Sequence, residues 1–131
     1  MQYQQLFDQF DANGRLYAGA AGRPLGPVPW AAHPAFAGVQ LKPLVTAAET
    51  GGAFSYHLVR IQPGCEIGLH THDPQLETHE VIAGAGVCEC GGQRIGYQPG
   101  VVAILPAGVP HKVTAGPEGL CLFAKFMTAL V

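Results

Sequence analysis

Residues 70–80 read HTHDPQLETHE. Three of the chain's six histidines and three of its nine acidic residues fall in this stretch, although only 12% of the chain is charged and 48% is hydrophobic. Neutral imidazoles and a carboxylate held in fixed directions are the donor set of a divalent metal. The same groups can also move protons. In EIGLHTH a period of two puts His70 and His72 on one face of a strand. The Asp73–Pro74 step ends that strand, because the residue before proline is restricted and proline cannot donate to a ladder. In the ETHEVIA beyond it, Glu77 and His79 share one face while Thr78 and Glu80 share the other. If the two strands are neighbours, three or four nitrogen and oxygen ligands converge on one point. Taken alone, an H-x-H pair is more often a solvent-facing or core-edge pair than a ligand pair, and the nearby acids could simply solvate a loop.

Those side chains need rigid elements behind them. From Phe36 onward the chain alternates short apolar or alternating runs with turn signals. The runs are VQLKPLVTA, AFSYHLVRI, EIGLHTH, ETHEVIA, GVCEC, QRIGY, VVAILP, HKVTA and GLCLFAKFMTAL, and the breaks are TGG, QPG, HDP, CGG, QPG, PAGVP and AGPEG. Glycine supplies positive φ and proline presets φ, so these breaks are turns with a mechanism. Many short strands at near-regular spacing predict an all-β, antiparallel sandwich or barrel. His111 follows PAGVP and opens the next strand, from which its imidazole can swing into a barrel mouth. Before this region, Leu6, Phe7 and Phe10 stand at helical spacing within residues 1–12, and NGRLYAGAAGRPLGPVP over 13–29 predicts an extended arm. The division expected is an N-terminal arm over 1–35 and a barrel over 36–131.

Composition narrows the function classes. The chain of 131 residues suits one domain, with 18 Gly and 11 Pro for its turns. A formal net charge of −2 without a basic block argues against nucleic acid or an anionic membrane as partner. MQYQQLFDQF lacks a basic n-region and an apolar h-region, and no uncharged apolar run could span a bilayer, so a cytoplasmic location is expected. Cys65, Cys88, Cys90 and Cys121 are too few for a disulfide scaffold and lack a second pair at zinc-ligand spacing, so they are expected as small buried or edge thiols. His33 is expected in a loop, and His57 lies in a strand whose face the pattern does not fix. Arg60 and Lys125 could anchor an anion but are more simply snorkelling cations. Trp30, Phe36, Phe54, Tyr56, Phe123 and Phe126 are expected as core or interface aromatics.

A longer pattern surrounds the histidines. Gly64, His70, His72, Glu77 and Gly84 match G(X)5HXH(X)3–4E(X)6G at every fixed position. Gly100, Pro106, Gly108 and His111 match G(X)5PXG(X)2H(X)3N, with Ala115 standing where the final Asn would be. These resemble the two signature motifs of the cupin superfamily, covering Gly64 to Ala115 closely. The resemblance implies a single antiparallel jelly-roll β-barrel holding a metal near one mouth, with His70, His72, Glu77 and His111 as ligands. The strand faces themselves leave Glu77 and His79 in competition: motif spacing to Gly84 selects Glu77, whereas spacing to Gly86 would select His79 and an all-histidine site. With Glu77 as ligand, His79 becomes the candidate catalytic residue, a proton-transfer group or substrate partner on the metal's open side. A three-histidine, one-glutamate centre of this kind implies a divalent metal (Fe, Mn, Ni or Zn) and a small-molecule enzyme of dioxygenase, decarboxylase or isomerase type. The alternative is a non-enzymatic, metal-dependent small-ligand binding or sensor module. A homodimer is also expected, built on the apolar C-terminal strand and the Gly/Pro arm.

Overall fold

The computed structural model describes residues 3–131. A helix, α1 (Tyr3–Ala12), is followed by a hairpin of β1 (Arg15–Ala18) and β2 (Ala21–Pro24), then β3 (Ala31–Ala32) and β4 (Val39–Val45). A one-turn helix, α2 (Ala47–Thr50), leads to β5 (Ser55–Ile61), β6 (Glu66–His70) and β7 (Leu76–Cys90). The chain closes with β8 (Gln93–Tyr97), β9 (Val102–Leu105) and β10 (His111–Met127). The predominantly β, antiparallel class read from the sequence is therefore present. The large sheet runs β3-β4-β5-β10-β7-β8, with β6 pairing to β10 and β9 to β7. Among the described residues no hydrogen-bonded pairing returns this path to its start, so closure into a ring is not part of the ladder.

Three local differences from the sequence expectation have identifiable causes. ETHEVIA and GVCEC are one strand, β7, and HKVTA and GLCLFAKFM are one strand, β10, because the Gly-rich breaks face each other. Ala115 pairs with Gly86 and Leu120 with Gly84, so AGPEG is a bulge inside a continuous ladder rather than a turn. Gly84 is required there: its φ is 76°, and a Cβ would collide with the carbonyl oxygen of Gly119. Second, the strand over 39–47 stops at Val45. Thr46 caps α2, accepting from Ala48 N–H, while Glu49 accepts from Thr46 N–H. Third, residues 13–29 are not a plain extended arm; Tyr17 pairs with Gly22 in the β1–β2 hairpin.

The large sheet, built around the long ladder of β7 against β10, has two apolar faces. The inner one carries Val59, Val81, Leu105, Leu122, Ala124 and Phe126. The outer one, Leu44, Val45, Leu58 and Phe123, is covered by α1 through Phe7. Phe7 is 1% exposed, and burying such a side chain stabilises by about 2–3 kcal/mol. Phe10 sets its edge on Phe123 at 4.9 Å. Lys42, on β4, is buried under the end of the helix and bonds both Asp11 Oδ1 (2.6 Å) and the Asp11 carbonyl (2.7 Å). No described helix is long and apolar enough to cross a membrane.

Candidate metal centre

Alternation along β7 is strict where it matters: Glu77, His79, Val81 and Ala83 are buried, while Thr78, Glu80 and Ile82 are not. Glu77 and His79 thus project inward together, and Glu80 faces out to Lys125 at 3.2 Å. His111, the first residue of β10, pairs with His70 at the end of β6. His72 lies just beyond β6 rather than within it. Its carbonyl accepts from Gly108 N–H at 2.8 Å, so the PAGVP turn anchors the His72 backbone beside His111. Gly64, Gly84, Gly100 and Gly108, the glycines of the two motifs, all have φ between 71° and 97°, the conformation that turns the strands toward one another. Ala115, at the missing Asn, is a core residue only 4% exposed.

The result is one cluster. The donor atoms of His70, His72, Glu77 and His111 all lie within 4.8 Å of one another. Glu77 Oε1 is 3.1 Å from His111 Nε2 and 3.6 Å from His72 Nε2. Two carbonyls fix the tautomers. His70 Nδ1 bonds Gly68 O at 2.7 Å and His111 Nδ1 bonds Val109 O at 3.2 Å. A carbonyl only accepts, so each Nδ1 carries the proton and each Nε2 offers its lone pair to the cluster. Packing holds the rings: His70 against Phe36 at 6.1 Å, His72 edge-on to Phe126 at 5.0 Å, His70 against His111 at 4.3 Å.

Burial lowers the pKa of His70 and of His72, which keeps both imidazoles neutral. Burial alone would raise Glu77. The neighbouring His111 ring and the hydrogen bond from His79 outweigh it and hold the carboxyl at about 2. The site therefore presents lone pairs on neutral nitrogens beside one anionic oxygen. Two of these atoms, Glu77 Oε1 and His111 Nε2, are buried without a hydrogen-bond partner. Orphaned buried polar atoms cost roughly 1–3 kcal/mol each. A cation between them would satisfy both, so the donor set fits a divalent metal.

His79 is enclosed behind Glu77. It is 1% exposed, its Nε2 bonds Glu77 Oε2 at 2.7 Å, and its Nδ1 bonds Tyr97 Oη at 2.8 Å. It backs the carboxylate instead of facing the histidines. The sequence pattern does not single out Tyr97; its one signal is that it shares a strand face with Ile95, the apolar pair of QRIGY. Burial raises the pKa of the Tyr97 hydroxyl, which stays protonated.

The remaining candidates stand apart. His57 is buried, bonds Ser55 Oγ at 3.1 Å and packs edge-on to Phe126 at 5.5 Å; burial lowers it to about 4. His33 packs at a tilt against Phe36 at 4.7 Å and accepts from Ala35 N–H. Arg60 lies over Trp30 at 3.9 Å and Lys125 over Tyr56 at 4.6 Å, so both are stacked cations on the outer side. All four cysteines are free thiols.

Known proteins share these features. A family model described as a cupin domain matches residues 57–123. A predicted oxalate decarboxylase from Thermotoga maritima has the same fold at a TM-score of 0.70 and 21% identity, covering 78% of this chain and 94% of that one. KdgF from Halomonas sp. gives 0.68 at 19% identity, covering 76% of this chain and 86% of that one. Ectoine synthase from P. lautus gives 0.64 at 23% identity, covering 71% of this chain and 66% of that one. Identities this low carry the fold alone. No match was found among curated proteins.

Proposed function

This chain belongs to the cupin family, and on that premise we propose that it is a metal-dependent enzyme acting on a small molecule, with His70, His72, Glu77 and His111 as the metal's ligands. The observation that carries the reading is the pair of buried, unpartnered atoms, Glu77 Oε1 and His111 Nε2, inside a four-residue donor cluster. A divalent ion held there (Fe, Mn, Ni or Zn) supplies Lewis acidity to a chelating substrate, and Fe adds redox chemistry. The chain's own residues do the rest. The carbonyls of Gly68 and Val109 hold two imidazoles in the donor tautomer. Phe36 and Phe126 pack the rings of His70 and His72, and the His72 side chain is 23% exposed, so the cluster meets solvent there. His79 holds a proton at Nε2 against Glu77 and acts through that carboxylate. Dioxygenase, decarboxylase and isomerase chemistries all suit such a centre.

The test is reconstitution. Protein stripped of metal is loaded in turn with Fe(II), Mn(II), Ni(II) and Zn(II) and offered a panel of small chelating acids, with and without O2. Turnover with at least one metal is expected, and an oxygenase would lose it with Zn(II), which has no redox chemistry. Ligand-induced stabilisation without turnover by any metal would replace the enzyme with a binding or sensor module. We also propose a homodimer in the cytoplasm. The C-terminal strand offers no free ladder edge, because β10 is paired on both sides, by β5 and β6 and by β7, so it would contribute through a face. The better seam is β9, which among the described residues pairs only with β7 and exposes Val102 and Ile104 at 68% and 66%. Light scattering should give twice the chain mass; a monomer across micromolar concentrations would contradict it.

A further inference from the structure

Behind the donor cluster stands a line of hydrogen bonds that metal ligation itself does not use, and its proposed role rests on the metal reading above. Glu77 has two carboxylate oxygens in different surroundings. Oε1 faces His72 and His111, while Oε2 takes a 2.7 Å hydrogen bond from His79 Nε2. A carboxylate only accepts, so His79 Nε2 carries the proton. In the neutral ring Nδ1 is then an acceptor, and Tyr97 O–H donates to it at 2.8 Å. With the ring neutral, the line runs from Tyr97 to His79 to Glu77. Its members are buried, His79 at 1% exposed and Tyr97 at 0%, so water does not compete for these bonds. Tyr97 comes from β8 and pairs across to Gly86 on β7, the strand that carries both Glu77 and His79. The line is thus built on two rigid neighbours.

We propose that Tyr97 and His79 are positioning residues that tie up Glu77 Oε2, so that the carboxylate offers the metal Oε1 alone and a coordination position stays open for a chelating small molecule. An untied carboxylate could swing both oxygens onto the ion and fill that position itself. Groups of this kind, placed behind a ligand, orient it and typically govern metal affinity by 10–100-fold.

The test uses Co(II) as a spectroscopic metal in wild type, His79→Leu, His79→Gln and Tyr97→Phe. Three quantities are read: Co(II) affinity by chelator competition, visible absorption per cobalt, and binding of acetohydroxamate as a two-toothed probe. His79→Leu should weaken Co(II) by about 10–100-fold, lower the absorption as the coordination number rises, and weaken the probe by about tenfold. Gln carries an amide N–H as many bonds from the backbone as His Nε2, so His79→Gln should restore the wild-type spectrum. Tyr97→Phe should move all three readouts in the His79→Leu direction by about 2- to 10-fold, the size of one hydrogen bond. A wild-type spectrum and probe affinity in both His79→Leu and Tyr97→Phe would overturn the proposal, as would His79→Gln behaving like His79→Leu. If His79→Leu does not fold, the contrast of Tyr97→Phe with His79→Gln decides in the same way. Failure in a wild type that binds Co(II) leaves the metal reading standing; a wild type that binds no Co(II) removes both.

Discussion

Two buried polar clusters lie on opposite faces of the same sheet, and they are built to different rules. On the outer face, Lys42 is 1% exposed yet fully answered: Asp11 supplies a carboxylate oxygen at 2.6 Å and a carbonyl at 2.7 Å, and Trp30 N–H bonds the same carboxylate at 3.0 Å. On the inner face, Glu77 and His111 are as deeply buried but leave Oε1 and Nε2 unanswered. A closed cluster fixes structure, since every polar atom found its partner when the chain folded; here it clamps the end of α1 to β4. An open cluster keeps a free-energy cost that only a ligand can relieve. The difference separates a staple from a site without reference to any relative.

Filling the inner cluster should give the largest effect. Metal at 1,000-fold above its dissociation constant should stabilise the protein by about 4 kcal/mol, seen as a rise in Tm. Glu77→Ala should abolish the rise, and an equal rise in that variant would show that the metal binds elsewhere. Asp11→Ala is the reciprocal experiment. Stranding a buried lysine costs about 3–5 kcal/mol, and the low end applies because Asp11 is itself partly exposed. Stability should fall while metal uptake per folded molecule stays that of wild type. Lost uptake in this variant would mean the two faces are coupled.

Acidification acts on the inner face through its buried histidines. Burial lowers His57 to about 4, so between pH 6.5 and 4 the unfolded chain takes up a proton that the folded chain refuses. Stability from this group is intact above about pH 6.5 and declines as pH falls toward 4, by about 3 kcal/mol in total. His70 and His72 act in the same direction, and Glu77 adds a loss below about pH 4.5. Urea unfolding of the metal-free protein at pH 7, 6 and 5 should trace this fall, and His57→Gln should flatten it; a slope unchanged in His57→Gln would remove that residue as its source.

Much of this is readable from residues alone. Period-two alternation places Glu77 and His79 on one inward face and Glu80 on the other, and the motif glycines fall where φ must be positive. Strand identity is legible because it is local. What stays hidden is long-range. Whether AGPEG is a turn or a bulge depends on Gly84 and Gly86 lying opposite, and that is a pairing, not a composition. The surroundings of His79 stay hidden for the same reason. Its face is readable, but its partner Tyr97 sits on another strand, and only the two together show that it backs Glu77. Nothing local marks Lys42 as a buried cation, because Asp11, its partner, lies 31 positions away at the end of a helix whose only sequence signal is the spacing of Leu6, Phe7 and Phe10.

Whether the open cluster is a metal site with Glu77 as its anionic ligand is decided by metal content. Wild type, Glu77→Ala and Asp11→Ala are purified without added metal, equilibrated with one divalent ion, dialysed and subjected to elemental analysis. About one ion per chain is expected in wild type and in folded Asp11→Ala, and little in Glu77→Ala. A wild type that retains no ion, or a Glu77→Ala protein that retains as much as wild type, would contradict the assignment.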